Sequence, residues 1–428
     1  MRQHSMTRVQ GLKTSVLMSR FDEWAGRSDV SIDTIANLLE KTSNDHGRGP
    51  VEGFHRSSST RRLECGGSGG EVVSRIGREQ GGALRWIDPR HEALGFAAAS
   101  GGPAVALATC RAIASKTPGK PVDACPWNIE ALPVEDVDAS TGMPTLEEME
   151  DWLRKYSPEP VDSAWVEAGL STETWLTCPQ NRQTRVRARA WAMWTPREKA
   201  GTSAKPLFLA ARGWSELLRL DPTEAWRDRA LSRDRERPWP ADAKLVFSQE
   251  TSAILARMLA TTTHRPGASL GTPVGPGWVL TARPDDDTGS LFGSLVDDAG
   301  FPSTSRILAD GHHVTGDWGG PGSLRRASFR DSPEPVPVAL RMHPPRLDPP
   351  KRSVWVTRID LHPAGDDWMA ELHGRQYPDG VAFRPSWMRL RPQRLLETCL
   401  GGVGPARSSH IGMTTPALVF DAWSFKAE

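Results

Sequence analysis

Apolar residues follow two rhythms along this chain, and the switches between them mark its elements. Residues 31–39, with the more isolated Phe21 and Trp24 before them, predict short helices. Period-two alternation at 57–63, 72–77 and 82–87 predicts strands joined by glycine-rich turns. Residues 95–100 read as another strand end, and the small apolar run 104–115 as a helix. The stretch 118–144 is rich in Pro, Asp and Gly, which suits a surface excursion. Thr145 followed by Glu148 forms a capping box, so a helix is expected from there to Lys155.

Residues 184–194 alternate again. Val186, Ala188, Ala190 and Ala192 would share one strand face, with Arg185, Arg187 and Arg189 on the other. A solvated strand face is the plainer reading of that arginine row; contact with an acidic partner is the functional one. Asp221 as N-cap, Pro222 in the first turn and Glu224 predict a helix to Arg237, stopped by Pro238 and Pro240. The buried strand 245–247 then leads into a helix at 248–262, on which Ile254, Leu255, Met258 and Leu259 make one apolar stripe. After His264 come short apolar stretches broken by Gly, Pro and Asp, at 278–281, 305–308, 336–341, 353–361, 368–374, 381–384 and 417–420. The expected fold class is therefore α+β, with an N-terminal α/β domain and a mainly β C-terminal domain with long loops. Its divisions are a partly flexible helical segment at 1–45, the first domain at 46–238 and the second at 239–428.

Composition removes several function classes. Of 428 residues, the basic and acidic ones nearly cancel, leaving a formal net charge of +1, so a dedicated nucleic-acid binder is not expected. No apolar run approaches the roughly 20 residues of a membrane span, and the polar N-terminus carries no apolar signal core. Both point to a cytoplasmic protein. Five cysteines without any CxxC indicate neither a disulfide framework nor a cysteine metal cluster. The 17 Trp against two Tyr imply large buried rings, some of which could line a peptide groove.

Three segments in order carry a family resemblance. They are residues 245–259 (LVFSQETSAILARML), residues 293–311 (GSLVDDAGFPSTSRILADG) with Asp297, Asp298, Gly300, Pro302 and Gly311, and the ending from LLETCLGGVG at 395 to TTPALVF at 420. A weaker echo is GALRWIDPRHEALG at 82–95. Across about residues 50 to 425 the chain resembles the TldD/PmbA metallopeptidase family. Active members carry HExxxH on the helix and a cysteine near the C-terminus: imidazoles and a thiolate hold zinc, and the Glu acts as general base on its water. Aligned on the flanking apolar residues, this chain has Ala256 and Thr261 at the histidine positions and Arg257 at the glutamate position. Residues 246–266 contain one histidine, His264, and one acid, Glu250, in the wrong order for the motif. Cys399 alone would not hold a metal.

The resemblance thus implies a TldE/PmbA-like member with no catalytic site, no metal and no cofactor in this chain. It implies a heterodimer with a TldD-like subunit that carries the zinc, acting on extended peptide substrates, including ribosomally made natural products in maturation. Arg257, His264, His312, His313 and Trp318 are the candidate contacts to peptide or partner. Nucleic acid and membrane are not expected partners. Two rivals stay open: an enzyme that works alone without metal, and a peptide-binding module with no peptidase partner.

Other constellations have plain readings. His312 and His313 are adjacent, so on a strand they would point to opposite faces, one exposed and one packed. Asp285, Asp286 and Asp287 lack the further carboxylates of a calcium loop. The Gly66–Gly67–Ser68–Gly69–Gly70 run has the letters of a nucleophile elbow but no apolar strand before it.

Overall fold

The computed structural model describes residues 31–43, 51–66, 72–88, 93–116, 142–156, 161–178, 181–196, 206–222, 238, 240, 243–284, 293–326, 328–337, 339–377, 383 and 386–421. The expectations for Phe21, Trp24, the helix after Pro222, Asp285–Asp287 and most of 118–144 and 381–384 lie outside these residues.

Helix α1 (Ile32–Ser43) turns Ile35 and Leu39 into the first core. Strands β1 (Val51–Gly66), β2 (Val72–Asp88) and β3 (Ala93–Ala98) follow, then helices α2 (Pro103–Ala114) and α3 (Leu146–Lys155). Strands β4 (Val161–Cys178), β5 (Asn181–Pro196) and β6 (Leu207–Ala211) and the single turn α4 (Trp214–Leu217) complete this half. The six strands form one sheet in the order β3-β2-β1-β4-β5-β6, antiparallel at every pairing. Its strands' alternation puts Leu84, Leu176, Val166, Ala190 and Trp194 against the helices. The cap of α3 is the expected box: Glu148 N–H donates to Thr145 Oγ1 at 3.1 Å, and Thr145 N–H to Glu148 Oε2 at 2.7 Å. Gly53 has no side chain because Ile35 of α1 lies directly over it.

The second half is built on β7 (Lys244–Phe247) and α5 (Gln249–Thr263). Then come β8 (Val279–Ala282), β9 (Arg306–Asp310), the small hairpin β10 (Leu324–Arg325) and β11 (Glu334–Pro335), and β12 (Leu340–Met342). The long hairpin β13 (Ser353–Ala364) and β14 (Asp367–Tyr377) leads to β15 (Ser386–Leu390), α6 (Pro392–Thr398), β16 (Cys399–Ser408) and β17 (Met413–Phe420). The main sheet runs β15-β14-β13-β7-β17-β12-β8-β9, with β16 on β17. It is mixed, since β7 pairs parallel with β13 and β12 parallel with β17. Helix α5 covers its centre, with Leu255, Ala256 and Leu259 fully buried among Phe247, Trp278, Leu372, Leu418 and Phe420.

The fold class is α+β, with helices and extensive antiparallel and mixed sheets. Two of the structure's additions to the sequence pattern concern the long strands of the first sheet. Strand β2 is continuous through 78–81, and β4, for which the pattern gave no strand, is the centre of the first sheet. Among the described residues, no helix is long and apolar enough to cross a membrane.

Candidate functional site

Helix α5 is positioned by its N-terminus. Thr251 N–H donates to the Ser248 side chain, and the buried Ser252 Oγ donates to Phe247 O at 2.9 Å while accepting from Leu418 N–H at 2.8 Å. These bonds lock α5 to β7 and β17. The three positions that matter for metal chemistry then fall in different surroundings. Ala256 is fully buried in the core. The Arg257 guanidinium donates to Pro337 O at 3.3 Å and to Ile411 O, and burial lowers its pKa. Thr261 is exposed, and its hydroxyl donates back to Arg257 O and Met258 O. A methyl group, a guanidinium and a hydroxyl spent on its own helix do not fit zinc, which needs imidazole, thiolate or carboxylate donors.

The remaining expected contacts divide sharply. His264 is fully buried, its Nδ1 2.5 Å from Thr263 Oγ1 and its ring 6.2 Å from Trp278, and burial pushes its pKa down to about 4. Trp318 is 4% exposed and belongs to the second core, so it cannot meet a ligand without opening that core. His312 and His313 are both exposed, unlike the expected one-in, one-out arrangement. They sit in a turn, where Gly311 takes φ 89° and both histidine N–H groups donate to Asp310 Oδ1 at 2.8 Å. Cys399 is fully buried, and burial pushes its thiol up to about 12, the opposite of a poised metal ligand.

A cluster of buried charges lies where the halves meet, and it includes the arginine row of β5. Arg185 is 3% exposed rather than solvated. Its guanidinium pairs with Glu173 on β4, pairs with Asp298 of the second half at 2.8 Å, and donates to Ser294 Oγ and to Val296 O at 2.8 Å. Trp175 Nε1–H donates to Asp298 O at 3.1 Å, and Phe329 packs with Phe54 and Trp175, filling the space above Gly81. Asp297 holds the same loop by accepting from Ala299 and Phe301 N–H at 2.9 Å and from Gly322 N–H at 2.8 Å. Burial alone would raise the carboxyls of Glu173 and Asp298; Arg185 and Arg187 outweigh it, holding Glu173 at about 2 and Asp298 lower still.

A second contact closes the other end of this junction. Phe208 of β6 stacks at 4.5 Å on His410, in the turn between β16 and β17, and Trp191 of β5 lies 5.8 Å from Phe208. The Ile411 carbonyl held by Arg257 belongs to that same turn. Between these two contacts the half-buried Arg187 and Arg189 lie on the β5 face that looks toward the second half, beside Ser171 and Gly169 of β4. The result is a cationic seam between β5 and the second half, running from Arg185 to Phe208.

Two other places carry less. Among the described residues, one group of three ligand-type side chains comes together: Asp360, Glu371 and His373 on β13 and β14, with atoms within 4.8 Å of one another. Arg358 already holds Asp360 Oδ2 at 2.8 Å, and a guanidinium there opposes a dication. A cavity of about 300 Å³ beside β16 is lined mainly by Pro344, Pro405, Pro416, Gly402 and Gly404.

No family model matches the sequence, and no curated protein matches it. Solved structures do match in fold. TldE from Thermococcus kodakarensis aligns with TM-score 0.67 at 14% identity, over 91% of this chain and 98% of that one. A protein from Thermotoga maritima, described as a candidate modulator of a DNA gyrase, aligns with TM-score 0.66 at 13% identity over 91% and 99%. A similarly described protein from Bacteroides thetaiotaomicron aligns with TM-score 0.66 at 12% identity over 91% and 97%. At these identities the likeness establishes a shared fold.

Proposed function

We propose that this chain is a TldE-like, non-catalytic subunit of a heterodimeric peptidase, paired with a TldD-like chain that carries zinc and acting on flexible peptides. The observation that carries the proposal is the state of α5. Where zinc chemistry needs donors, Ala256 is core, Arg257 braces the 409–412 turn, and Thr261 bonds its own helix. The fold shared with TldE supports the same reading. An extended peptide suits a β-rich chain, because an open strand edge can offer main-chain hydrogen bonds. The chain's part is to complete a substrate chamber while the partner's zinc activates water.

Co-expression with an HExxxH-bearing TldD-like chain from the same source tests this. The expected outcome is a co-purifying pair that cleaves unfolded peptides, loses activity to a chelator, and shows none when this chain is assayed alone. Hydrolysis by this chain alone that survives the chelator would contradict the proposal. So would tight peptide binding with no turnover in the presence of the TldD-like chain.

A further inference from the structure

We propose that the outer edge of β2 pairs with the same edge of a second copy of this chain, antiparallel and with Gly77 on the twofold axis. This concerns the chain by itself and is independent of the peptidase reading. The first support is an unpaired strand. Strand β1 pairs with β2 from Val72 to Trp86 without a register shift, whereas β3 reaches only Ala83–Asp88 on the other side. From Val73 to Gly82, therefore, β2 has one neighbouring strand, and among the described residues no other backbone hydrogen bond reaches that stretch. A row of open N–H and C=O groups is a template for another strand.

The second support is exposure. Residues 73–78 are all exposed, with Ile76 at 62% and Val73 at 40%. Those two apolar side chains lie on opposite faces of the strand, so both faces of this stretch meet solvent. Edges that stay open are commonly short, bulged or interrupted by proline. This one is long, unbulged against β1 and free of proline.

The third support is self-complementarity, which names the occupant. Opposite residues of an antiparallel pair share a face, so a twofold axis normal to the sheet has to pass through a residue and not between two. With the axis at Gly77, Arg75 stands opposite Glu79 of the second copy and Ile76 opposite Arg78, and each contact occurs twice. Moving the axis to Ile76 sets Glu79 against Val73 and removes both ion pairs. Moving it to Arg78 sets that arginine against itself, and like charges directly opposite are destabilising. The charges are available: among the described residues, the Glu79 carboxylate and the Arg78 guanidinium make no hydrogen bond or ion pair. The Arg75 side chain is 53% exposed and 3.9 Å from Glu64, and the five donors of a guanidinium can serve a second carboxylate as well. Gly77, without a side chain at the axis, leaves room for both ion pairs on their shared face.

Sedimentation equilibrium on the full chain tests the inference, with Arg75→Glu and Glu79→Arg as variants and a thermal melt to verify that each folds. The parent should be a dimer. Each single charge reversal should weaken it at least about tenfold, because it sets like charges opposite one another at two places. Mixing the two single variants in equal amounts should restore a dimer, since each reversed position then faces its opposite charge. The double variant, Arg75→Glu with Glu79→Arg, should dimerise like the parent. Ile76→Lys, at a 62% exposed position, is the further variant should either reversal fail to fold; it sets a cation against Arg78 and should weaken the dimer as well. A parent that stays monomeric at every concentration overturns the inference. So does a dimer that these variants leave unchanged, which would place the contact on another surface. Failure of the mixture to recover the dimer, with both variants folded, overturns the pairing about Gly77.

Discussion

Helix α5 and strand β5 each carry a sequence feature that invites a functional reading, and the structure resolves them in opposite directions. On α5 the positions that zinc chemistry would need have become packing and bracing: Ala256 fills core, and Arg257 ties down a turn. On β5, Arg185 is buried and paired with Glu173 and with Asp298 of the second half, and Arg187 keeps one buried nitrogen without a hydrogen-bond partner. Apolar replacement of a buried charged cluster is often neutral or stabilising, so these ion pairs are weak evidence for stability, while breaking one partner is costly. The helix positions serve packing and bracing within the second half, and the strand row serves pairing between the halves.

The largest expected effect breaks the charged side of this contrast. Arg185→Met leaves Glu173 and Asp298 buried without their shared partner and should cost about 3–5 kcal/mol in urea denaturation of the full chain. Adding Glu173→Gln and Asp298→Asn should recover much of that loss. If the single variant is as stable as the parent, the junction is solvated and the charged side of the contrast fails.

The next effect belongs to the core behind α5. His264 is buried with its pKa lowered to about 4, whereas an unfolded histidine titrates near 6.5. The unfolded chain therefore takes up a proton first, and stability is lost as pH falls from 6.5 toward 4, by on the order of 3 kcal/mol. His264→Leu removes this group, so its pH–stability curve should be flatter across that window than the parent's. Parallel curves would contradict the burial.

Arg257→Ala sharpens the comparison on the helix side. It removes the bonds to Pro337 O and Ile411 O, at a cost of about 1–2 kcal/mol. Hydrogen–deuterium exchange should rise at 409–412, the turn that carries His410 against Phe208. Unchanged exchange there would remove Arg257 as a brace of that turn. The smallest effect is expected at His312 and His313, where alanine should change stability by less than about 0.5 kcal/mol, because both rings are exposed and their turn is held through backbone N–H groups.

Much of the fold could be read from the sequence because its signals are local. The Ile254–Leu255–Met258–Leu259 stripe and the Thr145–Glu148 box each act within one helix and reappear as expected. Strand β4 was not legible. On the face toward the second half Glu167, Gly169, Ser171 and Glu173 alternate with Val166, Ala168, Leu170 and Thr172, too small a contrast to register as a half-buried strand. The arginine row shows the limit most clearly. Its two-residue period was readable, but its burial depends on Glu173, 12 residues away, and on Asp298, 113 residues away. Trp318 and His264 were offered as contacts for their chemistry and proved to be core, since neither side chain's type fixes which way it faces.

Metal analysis of the co-expressed pair, with anomalous scattering to locate the ion, tests the central claim most directly. The account predicts stoichiometric zinc in the TldD-like chain and no transition ion at α5 of this one. A stoichiometric ion seated against Ala256, Arg257 and Thr261 would contradict it.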